Sequence, residues 1–392
     1  MGNLCVTYIV NSMGYGGTEG HVSDMIYGLI ERNIKVNVII ITPPYDRIEE
    51  MQQSKLLNFY KIYDTVDPEF NNSEFEFKLR SVLEELNVDF VHLNMWGNYS
   101  IQTYLVLLKM KLRVVETLHT TYLFESKFHK FRMTYDLNRF FWRSYKMRMI
   151  YYKVQPHFIH ISKTSAINFK SIYPQSKHNT VIYCGAFSPE GEKRLSESNH
   201  HNILWIGSLI ERKRPLFALQ IINSLLPEFP DLKFTIIGDG PLYDQVSDEI
   251  ARVKNFSLFR QVKDLKPFLL ENNIMFHTSL YEGIPKNIRY AMNFAMPVVT
   301  SDVGAVSEFI NDGNNGFLFD INDHDKARSS LRKLLLDFSV MEKIGLNGKV
   351  TGSELFDMDV MVENVIKYYN QEFNLNYNTK RQAENYYSRI LD

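Results

Sequence analysis

The chain reads as an α/β protein made of two doubly wound, Rossmann-like domains. Three observations carry that reading. Short apolar runs lead through glycine-bearing turns into helices, first at Leu4–Val10 and again at Ile203–Ile206. A polar, turn-rich stretch, Ser188–Asn202, lies between them and suits an interdomain linker. The 392 residues suffice for two domains, each with its own core. The expected divisions are 1–187 for an N-terminal domain, 188–202 for the linker, 203–358 for a C-terminal domain and 359–392 for a further helix and tail.

Composition narrows the function. The net charge is −1, so no global field draws the chain to nucleic acid. The two cysteines, Cys5 and Cys184, form no CxxC motif or Cys/His cluster. No zinc site is therefore expected, and a reducing compartment is. No run of eighteen apolar residues occurs, and residues 1–10 lack a basic n-region and a cleavage site. The chain is expected to stay in the cytoplasm.

The first half opens with Leu4–Val10, a buried parallel strand. Gly14, Gly16 and Gly17 make a flexible turn, and Thr18 is a candidate N-cap. Val22, Met25, Ile26 and Leu29 have helical spacing, and Lys35–Thr42 is the next strand. This βαβ unit places a glycine-rich turn where such folds receive phosphates or substrate. A tight turn needing φ > 0 is the plainer reading. Phe77–Leu86 suits a helix, with strands at Val88–Leu93, Arg113–Leu118, His157–Ser162 and Thr180–Tyr183. Asn94, Trp96 and Gly97 end one of these strands, and His119, Thr120 and Thr121 another. Polar groups there stand at the mouth of a parallel sheet.

Residues 127–153 carry eight basic residues, one acid (Asp136) and interleaved aromatics. Two readings stand. One is an ordinary helix with a packed aromatic face and a solvated basic one. The other is a peripheral contact with an anionic membrane. Single-stranded nucleic acid fits less well.

In the second half, Ile203–Ile206 is followed by Gly207, Ser208 and the cationic run Arg212–Arg214, then by a helix over Leu216–Leu226. Cations at a βα turn favour a phosphate. Lys233–Ile237 runs into the turn Gly238–Pro241, and Ser257–Val262 is a further strand. The stretch Phe276–Ile310 is the most informative: a strand ends at Phe276, Ser279–Pro285 loops, Asn287–Phe294 is helical, and Pro297–Thr300 starts a strand. The loop aims free backbone N–H groups at one spot, which suits a phosphate, and Glu282 is placed to grip hydroxyls. Phosphate plus hydroxyls means a nucleotide or sugar nucleotide. Gly316–Phe319 is a late strand, and Asp323–Leu336 and Val360–Tyr369 are helices.

Glu282, Gly283, Pro285, Ala291, Met292, Pro297, Val298 and Val299 together resemble the donor-binding segment of the retaining GT-B glycosyltransferases of family 4. The departure is Tyr290, which stands where the family has a second Glu that holds the ribose hydroxyls. Arg289 and Glu308 are nearby substitutes for it. Gly16, Gly17, Thr18 and Glu19 resemble the family's N-terminal Gly-Gly-x-Glu loop, and Gly238–Pro241 its Gly-Asp-Gly-Pro turn. Lys213 matches the family's phosphate-binding lysine. Ser208 sits where an Arg is expected, and Arg212 or Arg214 is left to supply that charge.

The resemblance implies two facing domains, with the helix near the C-terminus crossing back to the first. It implies transfer of a sugar from a nucleotide-sugar donor to a glycan or lipid-linked acceptor with retention, as in bacterial surface polysaccharide synthesis. By resemblance, Glu282 and His119 are the catalytic pair. Gly16, Gly17, Ser208, Arg212, Lys213, Gly283, Ile284, Pro285, Lys286, Asn287 and Tyr290 bind the donor. No DxD-like pair ends a strand, so neither metal nor other cofactor is expected. A lipid-linked acceptor would favour the inner face of the cell membrane. Two alternatives remain: a sugar-nucleotide-binding partner subunit without catalysis, prompted by Tyr290 and Ser208, and a sugar-nucleotide epimerase of the same architecture.

Overall fold

The computed structural model describes residues 5–14, 17–51, 54–65, 71–95, 99–119, 137–188, 195, 200–262, 264–377 and 380. Side chains at 50 and 137–144 lie outside this description. The expectations for Gly16, Trp96, Gly97, Thr120, Thr121 and residues 127–136 fall on residues outside it.

The chain divides into two compact units, Met1–Tyr183 with Met361–Asp392, and Cys184–Val360. The division falls earlier than the linker read from the sequence. Cys184–Phe187 belong with unit two, where Ala186 bridges Asp357 and the side chain of Asn293 donates to the Ala186 carbonyl (3.0 Å).

Unit one holds β1 (Cys5–Val10), α1 (Gly17–Ile30), β2 (Lys35–Ile40), α2 (Asp46–Met51), β3 (Leu57–Lys61), α3 (Asn72–Leu86) and β4 (Phe90–Asn94). It continues with α4 (Tyr99–Met110), β5 (Arg113–Leu118), α5 (Leu137–Val154), β6 (His157–His160), α6 (Lys163–Ile172) and β7 (His178–Val181). Its sheet is all parallel in the order β3-β2-β1-β4-β5-β6-β7. Such a sheet is covered on both faces, which explains why β1, β2 and β4 are near-continuous apolar runs. Thr18 lies inside α1, which begins at Gly17, so it is not the N-cap. Asn71 caps α3, accepting from the backbone of Ser73 (3.0 Å) and Glu74 (3.3 Å).

Unit two holds β8 (Asn202–Ile206), α7 (Pro215–Asn223), β9 (Lys233–Ile237), α8 (Tyr243–Ile250), β10 (Phe256–Phe259), α9 (Lys266–Glu271) and β11 (Ile274–His277). Then come α10 (Lys286–Asn293), β12 (Val298–Ser301), β13 (Phe317–Phe319), α11 (His324–Leu336) and α12 (Phe338–Leu355). The sheet order is β10-β9-β8-β11-β12-β13, again parallel throughout.

The last helix, α13 (Met358–Phe373), returns to unit one. Tyr369 is fully buried there, its hydroxyl hydrogen-bonded to His92 Nδ1 and 3.3 Å from the Tyr8 hydroxyl. Burial, with the charge of His119, lowers His92 to about 3, so its ring is neutral. Gly28 on α1 lets Val362 approach closely: a Cβ there would sit 2.3 Å from a Val362 methyl.

Candidate active site

In both sheets the strand order reverses beside the first strand, between β1 and β4 and between β8 and β11. In doubly wound sheets ligands bind beyond the C-terminal strand ends at this switch point. In unit two the flanking segments are Gly207–Arg214 after β8 and Thr278–Pro285 after β11. These are the stretches that carry the sequence-predicted cations and Glu282.

The two segments are laced together. The Leu280 amide donates to the Arg212 carbonyl (2.8 Å). Thr278 Oγ1 accepts from the Trp205 indole (3.0 Å) and donates toward the Lys213 (2.8 Å) and Arg214 (3.1 Å) carbonyls. Arg214 takes a left-handed backbone (φ 54°), which turns the chain into α7 with Pro215 at its start. The Asn287 side chain donates to the Ile206 carbonyl (2.8 Å), fixing α10 to the end of β8.

Glu282 is the hub of the site. Its side chain is 10% exposed, and its Oε1 accepts from Lys213 Nζ, from Ser279 Oγ (2.7 Å) and from Arg212 Nη1 (3.1 Å). Because Ser279 donates to Glu282, its oxygen accepts from His277 Nε2 (3.1 Å), whose Nδ1 lies 3.0 Å from Thr300 Oγ1. Burial alone would raise the Glu282 carboxyl. The nearby His277, 3.7 Å away, and the charges of Lys213 and Arg212 outweigh it and hold the group well below the usual carboxylate range. Burial lowers His277 in turn, against the pull of Glu282.

The loop carrying Glu282 is pinned by Gly304. That residue has φ +62°, and a Cβ on it would lie 2.0 Å from the Glu282 carbonyl oxygen, so only glycine fits. Beyond the loop, α10 starts at Lys286 after Pro285, and no side chain caps it. The Ile288 N–H of its first turn is taken by Asn287 Oδ1 (2.9 Å), and the positive end of the helix dipole at this turn favours an anion. Gly283 and Lys286 are half-buried and Ile284, Pro285 and Asn287 buried at this same turn.

Several predicted residues sit elsewhere than expected. Tyr290 is buried, its ring 4.4 Å from that of Phe187, with Lys286 Nζ 5.4 Å above it. Arg289 is also buried and donates to the Gly185 carbonyl, so it anchors the Cys184–Phe187 segment and does not replace the missing Glu. Arg214 is drawn away by Phe217, 3.9 Å below its guanidinium, and by the Ile321 carbonyl. Arg212 is therefore the second cation of the site, braced by the Tyr281 carbonyl (3.0 Å) and ring (5.1 Å). Ser208 is exposed at the turn, and Glu308 is half-buried in the short helix Val306–Glu308.

His277 and Ser279 were not singled out from the sequence. The available signal was the polar triplet His277–Ser279 ending an apolar strand three residues before Glu282.

In unit one, Asn94 ends β4 and His119 follows β5, and His119 Nε2 lies 2.7 Å from Asn94 Oδ1. The His21 ring, from α1, meets His119 edge-on at 4.8 Å. Glu19, in the first turn of α1, accepts from Ser12 Oγ (3.1 Å). Gly17 has no positive φ, and a Cβ on it would meet nothing within 4 Å among the described residues. Neither strain nor crowding accounts for glycine there.

Comparisons with known proteins agree with this architecture. Residues 15–186 match a family model described as Glycosyltransferase Family 4, and residues 200–337 one described as Glycosyl transferases group 1. An uncharacterised glycosyltransferase of Methanocaldococcus jannaschii is 27% identical over 149 residues, 34% of this chain and 36% of that protein. The chain thus spans about a third of that relative's length. The capsular polysaccharide biosynthesis glycosyltransferase CapH of Staphylococcus aureus is 20% identical over 93% of this chain and 98% of its own. Among solved structures, Anabaena HepE in complex with UDP superposes with a TM-score of 0.74 at 15% identity, over 94% of this chain and all of that one.

Proposed function

The chain belongs to the GT-B glycosyltransferases, and we propose that it is a family 4 enzyme that transfers a sugar, with retention, from a nucleotide-sugar donor to a glycan or lipid-linked acceptor in bacterial surface polysaccharide synthesis. One observation carries the reading: the carboxylate of Glu282 holds Lys213 and Arg212 together at the switch point of unit two, beside the uncapped start of α10. The donor diphosphate binds this positive spot. As the glycosidic bond breaks, negative charge grows on the leaving phosphate, and Lys213, Arg212 and the α10 amides stabilise it. These groups supply the charge that a metal otherwise would, so the transfer runs without a metal or cofactor. Glu282 positions the donor sugar as well as its two cations. His277 and Ser279 hold Glu282 in place.

In unit one, His119, oriented by Asn94, contacts the transferred sugar's hydroxyls. Gly17, against which no described residue would crowd a Cβ, lets substrate approach the backbone. The UDP bound by HepE makes UDP-sugars the first donors to test, and the capsular role of CapH supports a surface polysaccharide as product.

No helix of the described residues is long and apolar enough to cross a membrane. We assign a peripheral contact instead to the exposed face of α5, where Tyr145, Lys146, Arg148, Met149, Tyr152 and Lys153 are all exposed while Ile150 and Tyr151 are buried. Such a basic and aromatic face suits an anionic leaflet, and it would hold the protein at the inner face of the cell membrane.

A panel of UDP-, GDP-, ADP- and CMP-sugars incubated with membrane extract tests the proposal. It predicts transfer from one donor into extract glycolipid, with the donor's anomeric configuration kept in the product. A second reading, a partner subunit that binds the donor without transferring it, rests on the burial of Tyr290 where the family has a carboxylate. Binding without transfer across the whole panel would establish that reading and dismiss the first.

A further inference from the structure

The edge of unit one carries a cluster that the transferase reading does not use. His157 opens β6 and His178 opens β7, and the two residues are register partners in the parallel pair. Their imidazoles stack with centroids 4.2 Å apart. Glu372, in the last turn of α13, brings its Oε2 to 3.1 Å from Nδ1 of His157 and 3.4 Å from Nδ1 of His178. The three ligand atoms all lie within 4.8 Å of one another. Both histidines stand at the N-terminal ends of their strands, the opposite edge of the sheet from His119.

We propose that His157, His178 and Glu372 bind a divalent transition-metal ion of the zinc class, which ties α13 to the β6–β7 edge of the sheet. The spacing fits such an ion. Bonds of about 2.0–2.2 Å in tetrahedral geometry set neighbouring donor atoms about 3.3–3.5 Å apart. The two donor separations to Glu372, 3.1 and 3.4 Å, are near this spacing, and the third, between the imidazoles, lies within 4.8 Å, so the stacked rings splay slightly to converge on the ion. The donor set selects the metal class. Two imidazoles and one carboxylate favour zinc, nickel, copper or cobalt, whereas calcium and magnesium require mostly oxygen.

The ion has a route in and room to complete its shell. His178 and Glu372 are 42% and 31% exposed at their side chains, and His157 is 14% exposed. Water supplies the fourth ligand from the open side. The Tyr368 hydroxyl, 3.4 Å from His157 Nδ1, flanks the site and is free to turn to the carboxylate or the bound water once Nδ1 holds the ion. No catalytic role follows, because the cluster lies at the wrong end of the sheet; the ion is structural. The inference is independent of the transferase reading. The sequence-based expectation of no zinc site rested on spaced motifs, whereas these ligands come from three separate segments.

Calorimetric titration of the chelator-treated full chain with Zn²⁺ tests the site, together with Co²⁺ absorption spectra and thermal melts. The expected result is one Zn²⁺ per chain, a tetrahedral-type Co²⁺ band and a melting temperature that rises with Zn²⁺. Mg²⁺ should do none of these. In His178→Asn and in Glu372→Gln, affinity for Zn²⁺ should fall by more than about tenfold and the Co²⁺ band should vanish. Both substitutions are at partly exposed side chains, so the fold should persist, and unchanged circular dichroism would show it. A double His200→Ala, His201→Ala variant should bind as the parent does. Failure of the parent to bind Zn²⁺, or undiminished binding in the His178 and Glu372 variants, would overturn the proposal.

Discussion

Replacing Lys213 by Met removes a cation while keeping most of the apolar stem. Lys213 and Glu282 are 15% and 10% exposed at their side chains, so this is a largely buried ion pair. Removing one member of such a pair costs about 3–5 kcal/mol when the other is left alone. Here Arg212 and Ser279 still serve the carboxylate, at 3.1 and 2.7 Å. The expected loss of stability is therefore smaller, about 2–3 kcal/mol. Transfer should fall further than stability explains, by about 10²–10³ in kcat, the usual cost of deleting one preorganised charge at a developing anion. The separating variant is Lys213→Met with Glu282→Gln. It removes both charges, so urea melts should show about 2 kcal/mol recovered relative to the sum of the single losses. Transfer from the nucleotide sugar should stay as low as in Lys213→Met. If transfer returns together with stability, neither Lys213 nor Glu282 acts on the donor, and the assignment of the donor site fails. Wild-type kcat in the single variant would refute it equally.

Three further outcomes are expected. Gly304→Ala forces a Cβ to 2.0 Å from the Glu282 carbonyl at φ +62°, so it should cost more than about 2 kcal/mol in a urea melt and abolish transfer. Glu116 is buried on β5; burial raises it from 4.5 to about 7 despite hydrogen bonds from Tyr104 (2.6 Å) and Tyr151 (3.0 Å). A raised carboxyl costs nothing while both states are protonated and costs most once both are ionised, so the wild type should lose about 3 kcal/mol between about pH 4 and about pH 8. Glu116→Gln should lack that loss in paired pH-dependent melts. Reversing charge at Lys146, Arg148 and Lys153 together should weaken sedimentation with anionic vesicles, most at low salt, since each cation near such a surface contributes about 1 kcal/mol; equal binding would leave α5 a packing helix only.

How much of this was legible depends on whether the cause was local. β5 and β9 have the ends that their sequence runs imply, because a strand buried on both faces is mostly apolar, with Glu116 and Thr117 of β5 the buried exceptions. β3 escaped notice because Leu57–Lys61 pairs on one side only, at the sheet edge, and is half polar. α12 was missed for the opposite reason. Glycines inside it argue against a helix by propensity, yet Gly345 lies where a Cβ would be 2.0 Å from the Ala295 carbonyl, so close helix packing demands it. At the site, Glu282 and Lys213 were visible because adjacent residues in the chain form their turn. His277 was not, since its partner Thr300 is set by the pairing of β11 with β12. Tyr290 and Arg289 misled because every α10 residue from Asn287 to Asn293 faces inward, which the pattern of a short helix does not disclose.

The order in which the ribosome makes this chain has a consequence. Unit two is synthesised whole before the part of α13 from Met361 onward, which unit one needs to complete itself. Until then Tyr8 and His92 lack the Tyr369 hydroxyl, and the groove over Gly28 lies bare. The nascent first unit must therefore wait, unsealed, while the second one forms, and a stop codon ahead of Met361 should yield a product whose later half is sound and whose earlier half is prey to chaperones and proteases.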